Sequence, residues 1–379
     1  MSMEQDGKTR RGAELCLQGI SKFYGASAAV RDLDLTVQPG EFVTLLGASG
    51  SGKTTTLMML AGFTSPSAGR ITIGGKDVTA LPPAKRDLGV VFQNYALFPH
   101  LTVAQNLAFP LEMRRMPRAR IDAEVKRALD LVQLGDKGGR YPRELSGGQQ
   151  QRIALARAIV FEPQALLMDE PLGALDKNLR EHMQVEIKRL HTSLGATIVF
   201  VTHDQEEALT LSDRVAVMQD GRIAQIAPAR VIYEQPASAW VAGFVGQSNC
   251  LPGTIEQQDG LDTVVRLASG ELLRARGNVS GGAGTKVVGV LRPERIRVGT
   301  ASAASAAGAT LRATVVDTLY IGHTVKLGLR LADGTILRSQ STSDGHDSVP
   351  AIGTQVDVQW EPGSVWLVPA DPAAGQEAH

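Results

Sequence analysis

The most specific chemistry in the chain belongs to Gly47, Ala48, Ser49, Gly50, Ser51, Gly52, Lys53 and Thr54. This GxxxxGK[ST] run follows the apolar stretch 41–46 (EFVTLL) and opens a helical pattern. Its glycines let the backbone wrap closely enough for N–H groups to point at phosphate oxygens. A helix starting near Lys53 adds the positive end of its dipole at the same place. The pattern puts Lys53 on the outer phosphates of a nucleotide and the Thr54 hydroxyl on Mg2+, with Thr55 counted among the nucleotide contacts. A glycine-rich turn with no ligand is the bland alternative, and the strand and helix flanks weigh against it.

A second group lies downstream. Residues 165–170 (ALLMDE) form an apolar run ending in two carboxylates. Beside a phosphate loop, Asp169 is placed to hold Mg2+ through its water shell, and Glu170 to polarise an attacking water as general base. Alone, the same run is also what a strand leaving the core looks like.

These groups need a scaffold. Runs 41–46, 165–169, 197–202 and 214–218 read as buried strands, and 53–60, 121–134, 146–160, 177–194 and 205–211 as helices. Their alternation predicts an α/β domain around a mainly parallel sheet. After Gly246 helical periodicity gives way to short strands and Gly/Asp/Ser turns. An internal repeat pairs 251–255 (LPGTI) with 311–315 (LRATV), 268–274 with 332–338, and 284–287 (GTKV) with 353–356 (GTQV). Two barrel-like β lobes of one design are expected, at 251–298 and 311–368. Residues 300–310 read as a small-residue linker, and the tail after Pro369 as disordered.

Leu145-Ser146-Gly147-Gly148-Gln149 separates families that share the phosphate loop. As chemistry it is a capping box, with paired glycines leaving N–H groups free for a phosphate. A second phosphate grip on one domain makes sense if it serves the nucleotide of another copy.

LSGGQ resembles the signature of the ATP-binding cassette (ABC) transporter ATPases, and the resemblance covers 14–246. It implies a P-loop ATPase domain with a helical subdomain at 94–160. Tyr24 resembles the aromatic that stacks on adenine. Gln93, after the strand 89–92, resembles the glutamine that senses Mg2+ and the attacking water. Ala174-Leu175-Asp176 resembles the loop crossing the dimer interface, with Asp176 near nucleotide. His203 resembles the histidine that bonds the γ-phosphate. Two copies then enclose ATP between Gly47–Thr54 of one and Ser146, Gly148 and Gln149 of the other.

Residues 94–100 (NYALFPH), 169–176 and 203–208 resemble importer ATPases. The module at 247–379 resembles their paired OB-like (TOBE-type) C-terminal lobes. The family reading implies a homodimer, two integral-membrane permease subunits, an extracytoplasmic solute-binding protein, and a peripheral place on the cytoplasmic face of the inner membrane. The phrases 169–184 and 199–214 most resemble the polyamine/opine/phosphonate branch, so spermidine or putrescine is the expected solute, with phosphonate, ferric iron or sugar as alternatives. A soluble ABC ATPase of DNA repair or translation is the remote one, lacking here the second cassette, coiled coil or basic surface. The C-terminal module reads equally as a ligand-binding regulator or as a support for the dimer.

Composition narrows the rest. At 379 residues two domains are expected. Lys+Arg and Asp+Glu balance at 39 each, giving no reason to expect nucleic acid. Residues 1–11 lack a signal-peptide core, and no run reaches the roughly 18 apolar residues of a membrane span. Cys16 and Cys250 read as small buried hydrophobes in a reducing compartment. Met58 and Met59 read as core, Trp360 and Trp366 as packing of the last β lobe, and 114–120 (RRMPRAR) as a solvated basic turn.

Overall fold

The computed structural model describes residues 12–173, 175–277, 279–300, 310–343, 349–361 and 363–370. The N-terminal stretch, Ala174, the linker at 301–309 and the tail beyond 370 lie outside the described residues. Two compact units divide between Ala229 and Arg230.

The first unit runs β1 (Leu15–Tyr24), β2 (Ser27–Val37), β3 (Phe42–Gly47), α1 (Lys53–Ala61), β4 (Ala68–Ile73), β5 (Lys76–Asp77), β6 (Leu88–Val91), α2 (Val103–Met113), α3 (Arg118–Leu131) and α4 (Gly147–Ile159). It continues β7 (Ala165–Asp169), α5 (Lys177–Leu194), β8 (Thr197–Thr202), α6 (Gln205–Leu211), β9 (Arg214–Gln219) and β10 (Arg222–Pro228). One sheet has the order β10-β9-β3-β8-β7-β6 and is parallel except for β10. Every residue of β3 and β8 is buried, as strands covered on both faces must be. A second sheet, β2-β1-β4-β5, is antiparallel and packs its apolar face on the same core as α1. Strands β1 and β2 are absent from the strands expected above, and bulges break their mutual register repeatedly.

The helical subdomain gathers α2, α3 and α4 around Val103, Leu107, Leu111, Ile121, Leu129 and Ile153. Helix α2 is missing from the helices expected above because Pro110 lies inside it, a residue that normally ends a helical reading. Its start is fixed by a Thr102–Gln105 capping box. The basic run at 114–120 is not simply a solvated turn. The Arg114 guanidinium lies 3.6 Å from the Phe161 ring centroid and pairs with Asp87 at 2.9 Å, and α3 begins at Arg118. Met59 is fully buried and Met58 packs against the same core. Cys16 is only half-buried and Cys250 is exposed, contrary to expectation, because Cys250 takes the outward side of an alternating strand. No helix among the described residues is long and apolar enough to cross a membrane.

Arg86 anchors the far end of α1. It is 2% exposed, and its guanidinium donates to the carbonyls of Leu81, Met59, Leu60 and Thr79 at 2.7–3.1 Å. Leu60 carries a C-terminal carbonyl of α1 that the helix itself leaves without a donor, while the Met59 carbonyl also accepts from the Gly62 N–H at 3.2 Å. Burial lowers the Arg86 pKa. Arg86→Met is expected to destabilise the chain by about 3 kcal/mol, since each buried carbonyl left without a donor costs about 1–3 kcal/mol. Thermal melting checks this, and an unchanged transition would remove Arg86 from the scaffold.

The second unit carries α7 (Ala229–Glu234), α8 (Ala239–Phe244), β11 (Asn249–Asp259), β12 (Asp262–Leu267), β13 (Leu272–Arg276), β14 (Lys286–Leu291), β15 (Arg297–Thr300), β16 (Thr310–Ile321), β17 (Thr324–Leu331), β18 (Ile336–Thr342), β19 (Gln355–Gln359) and β20 (Val365–Pro369). The structural division precedes Gly246 because these two short helices pack on the β module. Ala242 shares a cluster with Val290 and Val368. Arg292, 5% exposed, donates to the carbonyls of Tyr233, Ala242 and Gln247 and lies 3.9 Å from the Tyr233 ring centroid. Desolvation and the Glu294 carboxylate, which accepts from its hydroxyl, push the Tyr233 pKa up to about 12.

The two sequence repeats are not two separate lobes. Strand β20, from the second repeat, closes the first barrel in the order β11-β12-β13-β20-β14. Strand β15, from the first repeat, joins the second sheet in the order β15-β19-β16-β17-β18. Each repeat gives its last strand to the other lobe, and one continuous apolar core spans both. Trp366, expected in the last lobe, therefore sits in the first barrel, where its indole N–H donates to the Pro236 carbonyl at 3.2 Å. Trp360 is buried in the shared core.

Candidate functional site

Four neighbouring parallel strands deliver the predicted residues to one edge of the sheet. In register, Leu46 of β3 lies beside Thr202 of β8, Val201 of β8 beside Asp169 of β7, and Met168 of β7 beside Val91 of β6. The chain leaving these strands carries Gly47–Thr54, His203, Glu170 and Gln93. Ligands of open α/β sheets bind at such carboxyl ends.

The loop between β3 and α1 is tightly set. Gly52 has φ +99°, and a Cβ there would lie 2.5 Å from the Ala29 carbonyl oxygen. Only glycine combines that conformation with that approach. Strand β2 and the β9–β10 turn brace the loop: Arg31 N–H donates to Gly221 O at 2.9 Å, and Gly221 N–H to Ser51 O at 3.2 Å. Neither Ala29 nor Gly221 carried any chemical signal in the sequence. Lys53 is 5% exposed, and its ammonium donates to the carbonyls of Gly47 and Ala48 at 2.9 Å each. Burial lowers the Lys53 pKa, while Glu170 and Asp169 pull it upward. The Ser51 hydroxyl is buried without a hydrogen-bond partner. A buried orphan hydroxyl and a held lysine inside a loop of backbone N–H groups fit the oxygens of a phosphate chain.

The acidic half closes on this loop. Thr54 Oγ1 lies 3.1 Å from Asp169 Oδ1. Desolvation raises the Asp169 pKa, the Thr54 hydroxyl opposes that, and the neighbouring Glu170 adds to it. Glu170 has φ +43°, a left-handed conformation uncommon for a residue with a side chain, and its N–H donates to Val201 O at 2.9 Å. Its Oε1 lies 3.2 Å from Nδ1 of His203. A Cβ at Gly173 would come within 4.0 Å of both Glu170 Oε2 and Gln93 Nε2, so the glutamine borders the same pocket of chain. Among the described residues no group of three or more His, Cys, Asp and Glu is gathered as for a wholly protein-held metal. The donor set here is one hydroxyl and one carboxylate, which suits a cation completed by phosphate oxygens and water.

The turn carrying His203 is clamped by residues to which the sequence assigned no individual role. Asp204 caps α6, accepting from the N–H groups of Glu206 and Glu207 at 2.8 and 3.2 Å. Arg180 pairs with Asp204 at 2.9 Å, and Thr202 Oγ1 donates to Glu207 at 2.6 Å. Desolvation raises the pKa of Glu207, which is 2% exposed. The D-x-E-E spacing was a readable cap signal; Arg180 had none.

The remaining predicted residues stand elsewhere. Tyr24 is exposed at the end of the β1–β2 hairpin, with Lys22 Nζ 5.2 Å from its ring centroid. Thr55 is half-buried on α1. Ser146 caps α4 in the expected box, its Oγ accepting from Gln149 N–H and its own N–H donating to Gln149 Oε1 at 3.0 Å. Gly148 packs on α5, where a Cβ would meet Leu179 Cδ1 at 2.7 Å. Asp176 caps α5 through Leu179 N–H at 3.0 Å. In the single chain, Ser146, Gln149 and Asp176 thus bond within their own helix starts.

A phosphate loop on β3, paired acids on β7 and a histidine after β8 define a P-loop nucleoside triphosphatase. The family follows from comparison with known proteins. A family model described as ABC transporter matches residues 30–173, and one described as TOBE domain matches residues 289–368. The "Spermidine/putrescine import ATP-binding protein PotA" of Thermobifida fusca is 46% identical over 94% of this chain and 93% of its own length. The protein of that name from Rubrobacter xylanophilus is 43% identical over 95% and 97%. The solved structure titled "Dimeric Structure of MJ0796, a Bacterial ABC Transporter Cassette" has 32% identity and a TM-score of 0.52, covering 57% of this chain and 99% of that one. The chain belongs to the ATP-binding subunits of ABC transporters, and is an ATP hydrolase.

Proposed function

We propose that the chain powers a binding-protein-dependent importer, as a homodimer bound at the cytoplasmic face of the membrane to two permease subunits, and that its solute is a polyamine. What carries this reading is near full-length similarity to proteins named as spermidine/putrescine import subunits, on a chain whose acids, lysine and histidine meet at one sheet edge.

In this reading the backbone of Gly47–Thr54 cradles the ATP phosphates, and Tyr24 stacks on adenine. Lys53 exchanges its two loop carbonyls for phosphate oxygens. Thr54, Asp169 and Gln93 would hold Mg2+, which would supply positive charge against the phosphates. Glu170 accepts the proton of the attacking water, and His203 steadies both the carboxylate and the transferred phosphoryl group. The free N–H groups at the start of α4, beside Ser146, Gly148 and Gln149, close the partner copy's nucleotide, with Asp176 at the same junction.

Uptake of labelled spermidine, putrescine, 2-aminoethylphosphonate, ferric iron and a disaccharide, compared between native cells and cells carrying Lys53→Ala, tests the proposal. Loss of polyamine uptake alone is expected. Loss of another solute alone would keep the importer and replace its substrate, whereas loss of none would count against import.

A further inference from the structure

The segment following Gln93 is built with unusual care. Tyr95 and Ala96 are consecutive non-glycine residues in the left-handed region, with φ of +60° and +48°. Such a pair is unfavourable unless its surroundings hold it. Two side chains do so. Arg157 of α4 donates to the Ala96 carbonyl at 2.9 Å and the Tyr95 carbonyl at 3.1 Å, and its guanidinium lies 5.4 Å from the Phe98 ring centroid. Asn106 of α2, fully buried, accepts from Phe98 N–H and donates to the carbonyls of Phe98, Leu101 and Thr102. No carboxylate is paired with Arg157 among the described residues, and desolvation lowers its pKa.

Helix α4 is the one whose N-terminus is the signature turn. Arg157 stands eleven residues beyond Ser146, about 16 Å along a helix rising 1.5 Å per residue. One rigid element therefore holds Ser146 at one end and the carbonyls of the left-handed turn at the other. Lysine at 157 would lose the rigid planar fork that spans both carbonyls while lying against the Phe98 ring, and its compact ammonium would not carry the helix's rotation to them.

We propose that Arg157 is a positioning residue that couples the signature turn to the segment at 94–101, so that a nucleotide gripped at Ser146 changes the state of that segment. The proposal rests on the reading that Ser146 closes the partner's ATP site. A guanidinium bonded to two carbonyls of a strained turn follows any rotation of its helix, whereas a turn held only by its own bonds would not.

Hydrogen–deuterium exchange of the full chain, with and without Mg-ATP and in a Glu170→Gln background, tests it. The amides of 147–149 and of 95, 96, 98 and 101 are expected to change together on adding ATP. Adding Arg157→Lys should abolish the response at 95–101 and leave that at 147–149. Ala96→Gly, which relieves the left-handed strain, then serves as control in the Arg157→Lys chain. It should restore thermal stability without restoring the ATP response. Recovery of the response with Ala96→Gly would mean that Arg157 merely holds the turn, and would overturn the coupling. So would an unchanged response in Arg157→Lys, or a Glu170→Gln chain that responds at 147–149 but not at 95–101. No response at 147–149 in any chain would remove the two-subunit reading, and the proposal with it.

Discussion

Glu170→Gln is expected to bind ATP as tightly as the native chain while turning it over about 10²–10⁴-fold more slowly, the range typical of losing a general base. The amide keeps the size and hydrogen-bonding shape of the carboxylate, so the left-handed backbone at Glu170 and its bond to Val201 O persist. What disappears is the group able to take a proton, together with the charge facing His203 at 3.2 Å. Lys53 and Asp169, which face the phosphates in our reading, are untouched. ATP should therefore accumulate uncleaved, and the chain should run as a dimer in ATP by size-exclusion chromatography and light scattering. Near-normal steady-state hydrolysis would move the base elsewhere, with His203 as the next group to replace.

Much of this centre was legible because its parts are local. Gly47–Thr54 is a contiguous cradle, Asp169 and Glu170 end one apolar strand, and the Ser146–Gln149 box is a four-residue capping pattern that the structure reproduces bond for bond. Helix α5 and strands β7 and β8 begin and end where their apolar periodicity does. What stayed hidden depends on partners far away in the chain. Ala29 and Gly221 close on Gly52 only after folding, and the carbonyls held by Arg86 and Arg157 cannot be foreseen from an arginine's neighbours in sequence. The strand exchange of the β module was hidden for a related reason. The repeat reveals that β15 and β20 are equivalent, but a strand's partner is chosen by register and burial across the whole core.

The same division between local and distant information makes the two-copy site the point to test most directly. Ser146→Arg alone should abolish turnover, since a long cation at the helix start obstructs the grip on a partner's nucleotide. Losing its cap should cost the fold only about 1 kcal/mol. Lys53→Ala should also be nearly inactive, for want of a charge on the phosphates. Mixing the two inactive proteins separates a shared site from a self-contained one. In a mixed dimer, the native phosphate loop of the Ser146→Arg copy faces the native signature of the Lys53→Ala copy, giving one complete site. Random pairing makes half of all dimers mixed, so about a quarter of the native sites should return. Hydrolysis rising towards that level on mixing can come only from a site assembled across two chains. A mixture as inactive as its components would place Ser146 outside the nucleotide site and leave the capping of α4 as its whole role.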